Sequence, residues 1–257
     1  MRPALPDSFL WRPLAHRALH DRAQGRPENS AAAVRAAVAA GYGIEVDVQI
    51  SADGVAMVFH DGTLERMTAA TGPVSGLTAA ALQRVGLGDS KEPMPTLVQV
   101  LDLVGGRVPL LLELKDQSGV MGPTNGRLEQ ATAQALTGYF GPVAVMSYNP
   151  SMIGTMSRLV PQVPRGLTTD AFPRADFPDT AAAEAHRLRL AAIADYDDVG
   201  AAFISHDWED LQNPRVAELK AAGAAVLCWT IKSAAQEAQA REIAQNITFE
   251  QYLPPIP

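Results

Sequence analysis

Short apolar runs alternate with helix-like segments along the whole chain, and no other feature constrains the fold as tightly. Such alternation is the sign of βαβ units and a parallel sheet. Candidate strands are Leu14–Arg17, Ile44–Ile50, Pro109–Leu114, Val143–Ser147, Arg165–Leu167, Ala202–Ser205, Ala225–Trp229 and Asn246–Phe249. A closed barrel needs eight. A further run, Val55–Phe59, reads as a partner beside the second strand, outside the ring. The eighth strand carries the weakest pattern, so an open α/β sheet fits the alternation equally well.

Punctuation between the strands supports helices. Asn29 or Ser30 can cap a helix over Ala31–Ala40, which stops at Gly41. Leu97, Val100, Leu101 and Val104 form a helical stripe before Gly105-Gly106. Residues 62–95 hold Gly72-Pro73 and Gly86-Leu87-Gly88 and read as a short insertion after the second strand, with one helix over Thr78–Val85. The 257 residues are close to the roughly 250 of one (β/α)₈ barrel, although length alone also allows two smaller domains. We therefore expect one domain over 1–257.

Composition narrows the partners. With 47% apolar and 19% charged residues the chain can bury a large core. A net charge of −7 argues against nucleic acid or an anionic membrane surface, which both favour basic patches. No apolar run approaches the roughly 20 residues of a spanning helix, so no stable membrane insertion is expected. The opening residues show Arg2 but no apolar stretch of a leader, and Cys228 is the only cysteine. These features read as cytoplasmic. Nothing in them sets an oligomeric state.

The chemistry concentrates in two runs. Ile44-Glu45-Val46-Asp47-Val48-Gln49-Ile50 alternates strictly, so the apolar residues share one face and Glu45, Asp47 and Gln49 the other. Along a strand Glu45 and Asp47 stand about 6.6 Å apart, a spacing that lets both converge on one cation. A solvent-exposed edge strand shows the same alternation. Leu110-Leu111-Leu112-Glu113-Leu114-Lys115 reads as a buried strand with Glu113 and Lys115 on one face. Buried charges need partners. A metal is one for Glu113, and a plain Glu–Lys pair is the alternative. Three carboxylates without thiolates suit a hard divalent ion, Mg²⁺ or Ca²⁺.

His16-Arg17 and His60-Asp61 each end an apolar strand-like run. In α/β barrels chemistry sits at the C-terminal strand ends, and two histidines there can serve as general acid and base. His20, His186 and His206 read as structural. Arg17 and Lys115 are candidate phosphate contacts. Adjacent strand residues face opposite ways, so His16 and Arg17 share a site only if the strand breaks at Arg17. Trp229 ends a strand, where it either walls an alcohol or glycerol pocket or packs in the core.

The ordered set His16-Arg17, Pro27-Glu28-Asn29, Glu45-x-Asp47, His60-Asp61, Pro95-Thr96-Leu97 and Glu113-Leu114-Lys115 resembles the glycerophosphodiester phosphodiesterase family. Ser147-Tyr148-Asn149, Trp229-Thr230 and Ile247-Thr248-Phe249-Glu250 are looser matches. The resemblance implies a TIM barrel whose insertion caps the mouth. It implies one divalent metal on Glu45, Asp47 and Glu113, an acid/base pair in His16 and His60, and phosphate contacts from Arg17 and Lys115. The implied reaction splits a small glycerophosphodiester into glycerol 3-phosphate and an alcohol. Two related readings remain, a lysophospholipase D-type diesterase and a barrel that only binds phosphorylated metabolites. Ala18 stands where the family usually has glycine. If that position requires a positive φ, alanine costs roughly 1 kcal/mol. At the last strand, Phe249-Glu250 replaces a pattern that is often Asp-rich.

Overall fold

The computed structural model describes residues 2–257. Its strands are β1 (Leu14–Ala15), β2 (Gly43–Ile50), β3 (Ala56–Val58), β4 (Leu110–Leu114), β5 (Val143–Ser147), β6 (Arg165–Thr169), β7 (Phe203–Asp207), β8 (Ala225–Ile231) and β9 (Asn246–Phe249). Eight of them, all but β3, run parallel. The ring closes because β1 pairs with β2 on one side and with β9 on the other. Strand β3 lies antiparallel on β2, outside the ring. The fold is a TIM barrel, and the open-sheet alternative is excluded by the β1–β9 pairing.

Alternation along β2 sorts its side chains as the pattern predicts. Ile44, Val46, Val48 and Ile50 join the large apolar layer between sheet and helices, with Val34, Ala37, Leu97, Val100 and Leu101. Strand β4 adds Leu110, Leu112 and Leu114 to the same layer. Its remaining leucine, Leu111, joins a second cluster with Leu5, Phe9, Leu14, Ala144, Met146, Phe203 and Leu227. That cluster fills the barrel interior beneath the mouth. Asn246 anchors the N-terminal segment to it, its Nδ2 donating to the carbonyls of Phe9 at 2.8 Å and Arg12 at 2.6 Å. Gly166 is needed here, because a Cβ would stand 2.4 Å from the Phe203 ring.

The helix over Ala31–Ala40 is capped by Ser30, whose Oγ accepts from the Ala33 amide at 3.1 Å, and it ends at Gly41 with φ +81°. Thr96 and Gln99 form a reciprocal capping box on Leu97–Val104. Residues 62–95 contain one short α-helix, Ala79–Leu82, half the length expected over Thr78–Val85, preceded by a single 3-10 turn at Val74–Gly76. The chain turns away at Gly86, where a Cβ would meet the Ser90 carbonyl oxygen at 2.6 Å. Leu64, Met67, Val74, Leu82, Leu87 and Met94 pack with Met57 of β3 into a small core of their own. Among the described residues no helix is long and apolar enough to cross a membrane.

Several strand ends differ from the sequence reading. β1 stops at Ala15 instead of Arg17, because Arg17 and Ala18 take positive φ values of 51° and 64°. β6 runs on to Thr169, β7 spans Phe203–Asp207 and β8 continues to Ile231. Polar residues conceal the strand pattern at the ends of β6 and β7, where Thr168 lines the mouth and Thr169 meets His206, while Ile231 at the end of β8 joins the apolar layer.

Candidate active site

All eight residues singled out in the sequence line one cavity of about 200 Å³ at the C-terminal mouth: His16, Arg17, Glu45, Asp47, His60, Glu113, Lys115 and Trp229. The backbone break after β1 brings the first two together. At its positive φ, Arg17 turns its amide to donate to Glu45 Oε2 at 2.9 Å, and the Ala18 amide donates to the Glu45 carbonyl at 2.9 Å. His16 and Arg17 thus reach the same space.

β2 and β4 lie in register, with Asp47 opposite Glu113. One carboxylate oxygen from each of Glu45, Asp47 and Glu113 falls within 4.8 Å of the others, and all three side chains are buried. Lys115 Nζ lies 3.0 Å from Glu113 Oε1 and 3.3 Å from Asp47 Oδ1. The simple Glu113–Lys115 pair is therefore part of a larger cluster. Asn29, at φ 59°, donates its side-chain N–H to Asp47 Oδ2 at 2.9 Å. It serves the site, while Ser30 alone caps the helix.

The charges in this cluster do not balance evenly. Burial drives the Glu45 pKa well above 4.5, and the neighbouring Asp47 and Glu113 charges drive it further. Burial also acts on Asp47, but Lys115, His60 and Arg17 outweigh it and hold this carboxyl well below its usual range. Lys115 is likewise buried, yet Glu113 and Asp47 keep it firmly charged. Glu45 Oε1 is buried with no hydrogen-bond partner. An orphaned oxygen facing two further carboxylates is a donor set that fits a hard divalent cation. Glu45, Asp47 and Glu113 could hold one.

Both histidines are backed by carboxylates. His16 Nδ1 lies 2.9 Å from Glu250 Oε2. The hydrogen bond from His16, with His20 Nε2 3.6 Å away, holds Glu250 well below the usual carboxylate range, so the carboxylate accepts and Nδ1 donates. Burial lowers the His16 pKa below 6.5 against the upward pull of Glu250. His60 Nδ1 lies 2.6 Å from Asp61 Oδ1. Arg66 grips Asp61 at 2.5 Å and Glu28 at 2.6 Å, and Glu28 in turn holds Arg17 at 2.8 Å. That chain ties the insertion to the site through Arg66, while no residue of 62–95 lines the cavity itself.

The far wall consists of Met146, Tyr148, Thr168, Trp229, Thr230 and Thr248. Trp229 donates its indole N–H to the Ser205 carbonyl at 2.9 Å and stands edge-to-face with Tyr148. The hydroxyls of Thr168 and Thr248 are buried without partners. His206 is spent elsewhere, between Thr169 Oγ1 at 2.7 Å and Asp210, and His186 meets the Val120 carbonyl. The roles of Glu250, Asn29, Glu28 and Asp61 escaped the sequence reading, although all four lie within motifs it quoted. Only the pairing of β1 with β9 makes the Glu250 role visible.

A TIM barrel with three clustered carboxylates that could hold a cation, and two carboxylate-backed histidines at its mouth, is the class this geometry defines. Residues 16–246 match the glycerophosphoryl diester phosphodiesterase family, and the chain belongs to it. Over 150 residues it is 29% identical to a glycerophosphodiester phosphodiesterase of Caldanaerobacter subterraneus subsp. tengcongensis, covering 55% of this chain and 60% of that protein. Over 170 residues it is 26% identical to the Bacillus subtilis enzyme of the same description, covering 60% and 58%. These alignments span a little over half of each relative. Among solved structures, an Oleispira antarctica phosphodiesterase in complex with the product sn-glycerol-3-phosphate superposes with a TM-score of 0.75 at 24% identity, covering 95% of this chain and 94% of that one.

Proposed function

We propose that the chain is a metal-dependent phosphodiesterase that hydrolyses glycerophosphodiesters to glycerol 3-phosphate and an alcohol. The observation that carries this reading is the convergence in one cavity of the three carboxylates with His16, itself held by Glu250. Family membership and the product found in the Oleispira structure support it. A barrel that only binds phosphorylated metabolites has no use for two histidines that are each aligned by a carboxylate.

Glu45, Asp47 and Glu113 would hold Mg²⁺ or Ca²⁺, and the bound ion supplies Lewis-acid polarisation of a phosphate oxygen. Arg17 and Lys115 stabilise the negative charge that builds on the phosphoryl oxygens. With Nδ1 donating to Glu250, neutral His16 carries its lone pair on Nε2, and burial keeps the ring neutral. His16 therefore takes the proton of the attacking hydroxyl, either water or the substrate's own glycerol hydroxyl. His60, paired with Asp61, returns a proton to the leaving alkoxide. Trp229 walls the pocket. Cys228 is buried with its pKa pushed up to about 12, so nothing requires an oxidising compartment and a cytoplasmic setting suits the fold.

The test is release of glycerol 3-phosphate from glycerophosphocholine and glycerophosphoglycerol with Mg²⁺, with Ca²⁺ and with chelator. Release that needs the ion is expected. No release from folded protein with either ion overturns the proposal.

A further inference from the structure

The cavity is divided by charge. On the side of β1, β2 and β4 stand Arg17, Lys115 and both histidines around the three carboxylates. The side built by β5 to β8 has a different character. Tyr148 and Trp229 line it with ring centroids 6.0 Å apart and planes at 74°, so the two rings form a corner. Phe172, itself buried and outside the cavity lining, packs on Tyr148 with ring centroids 5.9 Å apart at 87° and backs that ring. The rings at the corner are fixed, Trp229 by its bond to the Ser205 carbonyl and Tyr148 by donating its hydroxyl to Asp170 Oδ2 at 3.1 Å.

Two carboxylates border this corner. Asp170 follows β6, and Asp207 ends β7 directly across from Trp229 in the register with β8. Among the described residues neither has an ion pair. The cations of this half are engaged elsewhere: Lys232 with Glu250 at 3.2 Å, Arg174 with Glu184 at 3.0 Å, and Arg187 with Glu184 at 2.7 Å. Burial raises the pKa of both Asp170 and Asp207. Asp170 also feels the charge of Asp207, and Asp207 that of Glu209 and Asp210. His206 offsets this negative field only in part, by less than burial raises either carboxyl. Thr168, on the same wall, buries a hydroxyl that has no partner in the protein. An aromatic corner rimmed by unpaired carboxylates is the arrangement that binds an alkylammonium, since ring faces and carboxylates both attract it.

We infer that this wall is the subsite for the alcohol half of the diester and selects an alcohol bearing an ammonium or trialkylammonium group. The inference rests on the diesterase reading above. With the phosphate drawn to Arg17 and Lys115, the cation of such a substrate falls on the opposite wall, so each end of the zwitterion meets its complement.

The experiment compares kcat/KM for glycerophosphocholine with that for glycerophosphoglycerol, whose alcohol is uncharged. A ratio of at least about tenfold in favour of the choline ester is expected. In Asp170→Asn/Asp207→Asn, and in Trp229→Leu, that ratio should fall toward one, with near-ultraviolet circular dichroism confirming the fold. Equal turnover of both esters by the wild-type protein overturns the subsite and leaves the diesterase standing. Turnover of neither ester overturns the diesterase. The subsite is then judged by choline alone, titrated against tryptophan fluorescence. Saturable binding that is lost in the Asp170→Asn/Asp207→Asn variant supports it, and absence of binding ends it.

Discussion

His16 Nδ1 lies 2.9 Å from Glu250 Oε2, across 234 positions of sequence, because the first and last strands of the barrel are neighbours. The contact fixes which nitrogen of His16 is free to take a proton. Replacement Glu250→Gln keeps the shape and an acceptor oxygen but removes the charge, which weakens the hydrogen bond and deletes the field that both raise the His16 pKa. We expect kcat/KM to fall by about 10²-fold, within the range of acid–base catalysis. Its acidic limb reports the free enzyme. Neutral His16 is the active form and burial holds it below 6.5, so activity should be lost only as pH falls through that lowered value. In the variant the limb moves lower still. A limb above 6.5 in the wild-type protein would remove His16 from the base role.

Metal binding should release a proton. In the metal-free protein Glu45 retains its proton to a pH above 4.5, because burial and the adjacent carboxylates raise its pKa. A cation needs the carboxylate form. Apparent affinity therefore weakens as pH falls through that raised value. Calorimetry in buffers of different ionisation heat reads the released proton directly, and heats that do not depend on the buffer would count against the assignment.

An ion bound by these carboxylates should also stabilise the fold. At about 100 times its Kd, a ligand specific for the native state adds about 2.7 kcal/mol, which for a domain of this size raises Tm by roughly 5–10 °C. Chelator should reverse the gain. Glu113→Gln should abolish it, and a Glu113→Gln protein that still responds to Mg²⁺ or Ca²⁺ would remove Glu113 from the ligand set.

Ala18 is held at φ 64° and is almost fully buried. Relief of left-handed strain in Ala18→Gly is worth about 1–2 kcal/mol. It is offset by the lost methyl burial, about 0.8 kcal/mol, and by the greater freedom of the unfolded glycine chain, about 0.4–1 kcal/mol. The net change in unfolding free energy should stay within about 1 kcal/mol. Ala18→Val, by contrast, places a β-branched side chain in the same conformation and should cost at least about 2 kcal/mol. Urea titrations of the two variants check both values.

Gly166→Ala puts a Cβ 2.4 Å from the Phe203 ring in the barrel interior. We expect a loss of about 1–3 kcal/mol from overpacking, read by denaturant midpoint. Recovery in the double variant Gly166→Ala/Phe203→Leu would locate the clash.

The parallel strands and their metal-type cluster were legible from alternation, while closure into a barrel, which an open sheet matched equally well on pattern, came from the family resemblance. Val46 and Asp47 must face opposite ways on β2, and a leucine run ending in Glu113 and Lys115 needs partners for its charges. Helix limits at Ser30, Gly41 and Gly105 followed from local capping. What stayed hidden depends on nonlocal geometry. Glu250 reads as an ordinary acidic residue until β9 lies beside β1. Asn29 looks like a helix cap, since only its positive φ turns it toward Asp47. Strand ends such as Thr169 and Asp207 were lost because polar residues at a barrel mouth imitate loops. Asp170 and Tyr148, 22 positions apart, carry no spacing signal at all.

The ring is sealed by its shortest strand. β1 gives only Leu14 and Ala15 to the sheet, yet both β2 and β9 depend on it. β2 and β4, which hold the carboxylates, are neighbours without that seal. A refolding chain can therefore capture its cation while the seam is still open, but it has no oriented base until the first and last strands meet. Such distant contacts form slowly. Ion uptake and turnover should appear as separate events in refolding, and the delay between them times the closing of the barrel.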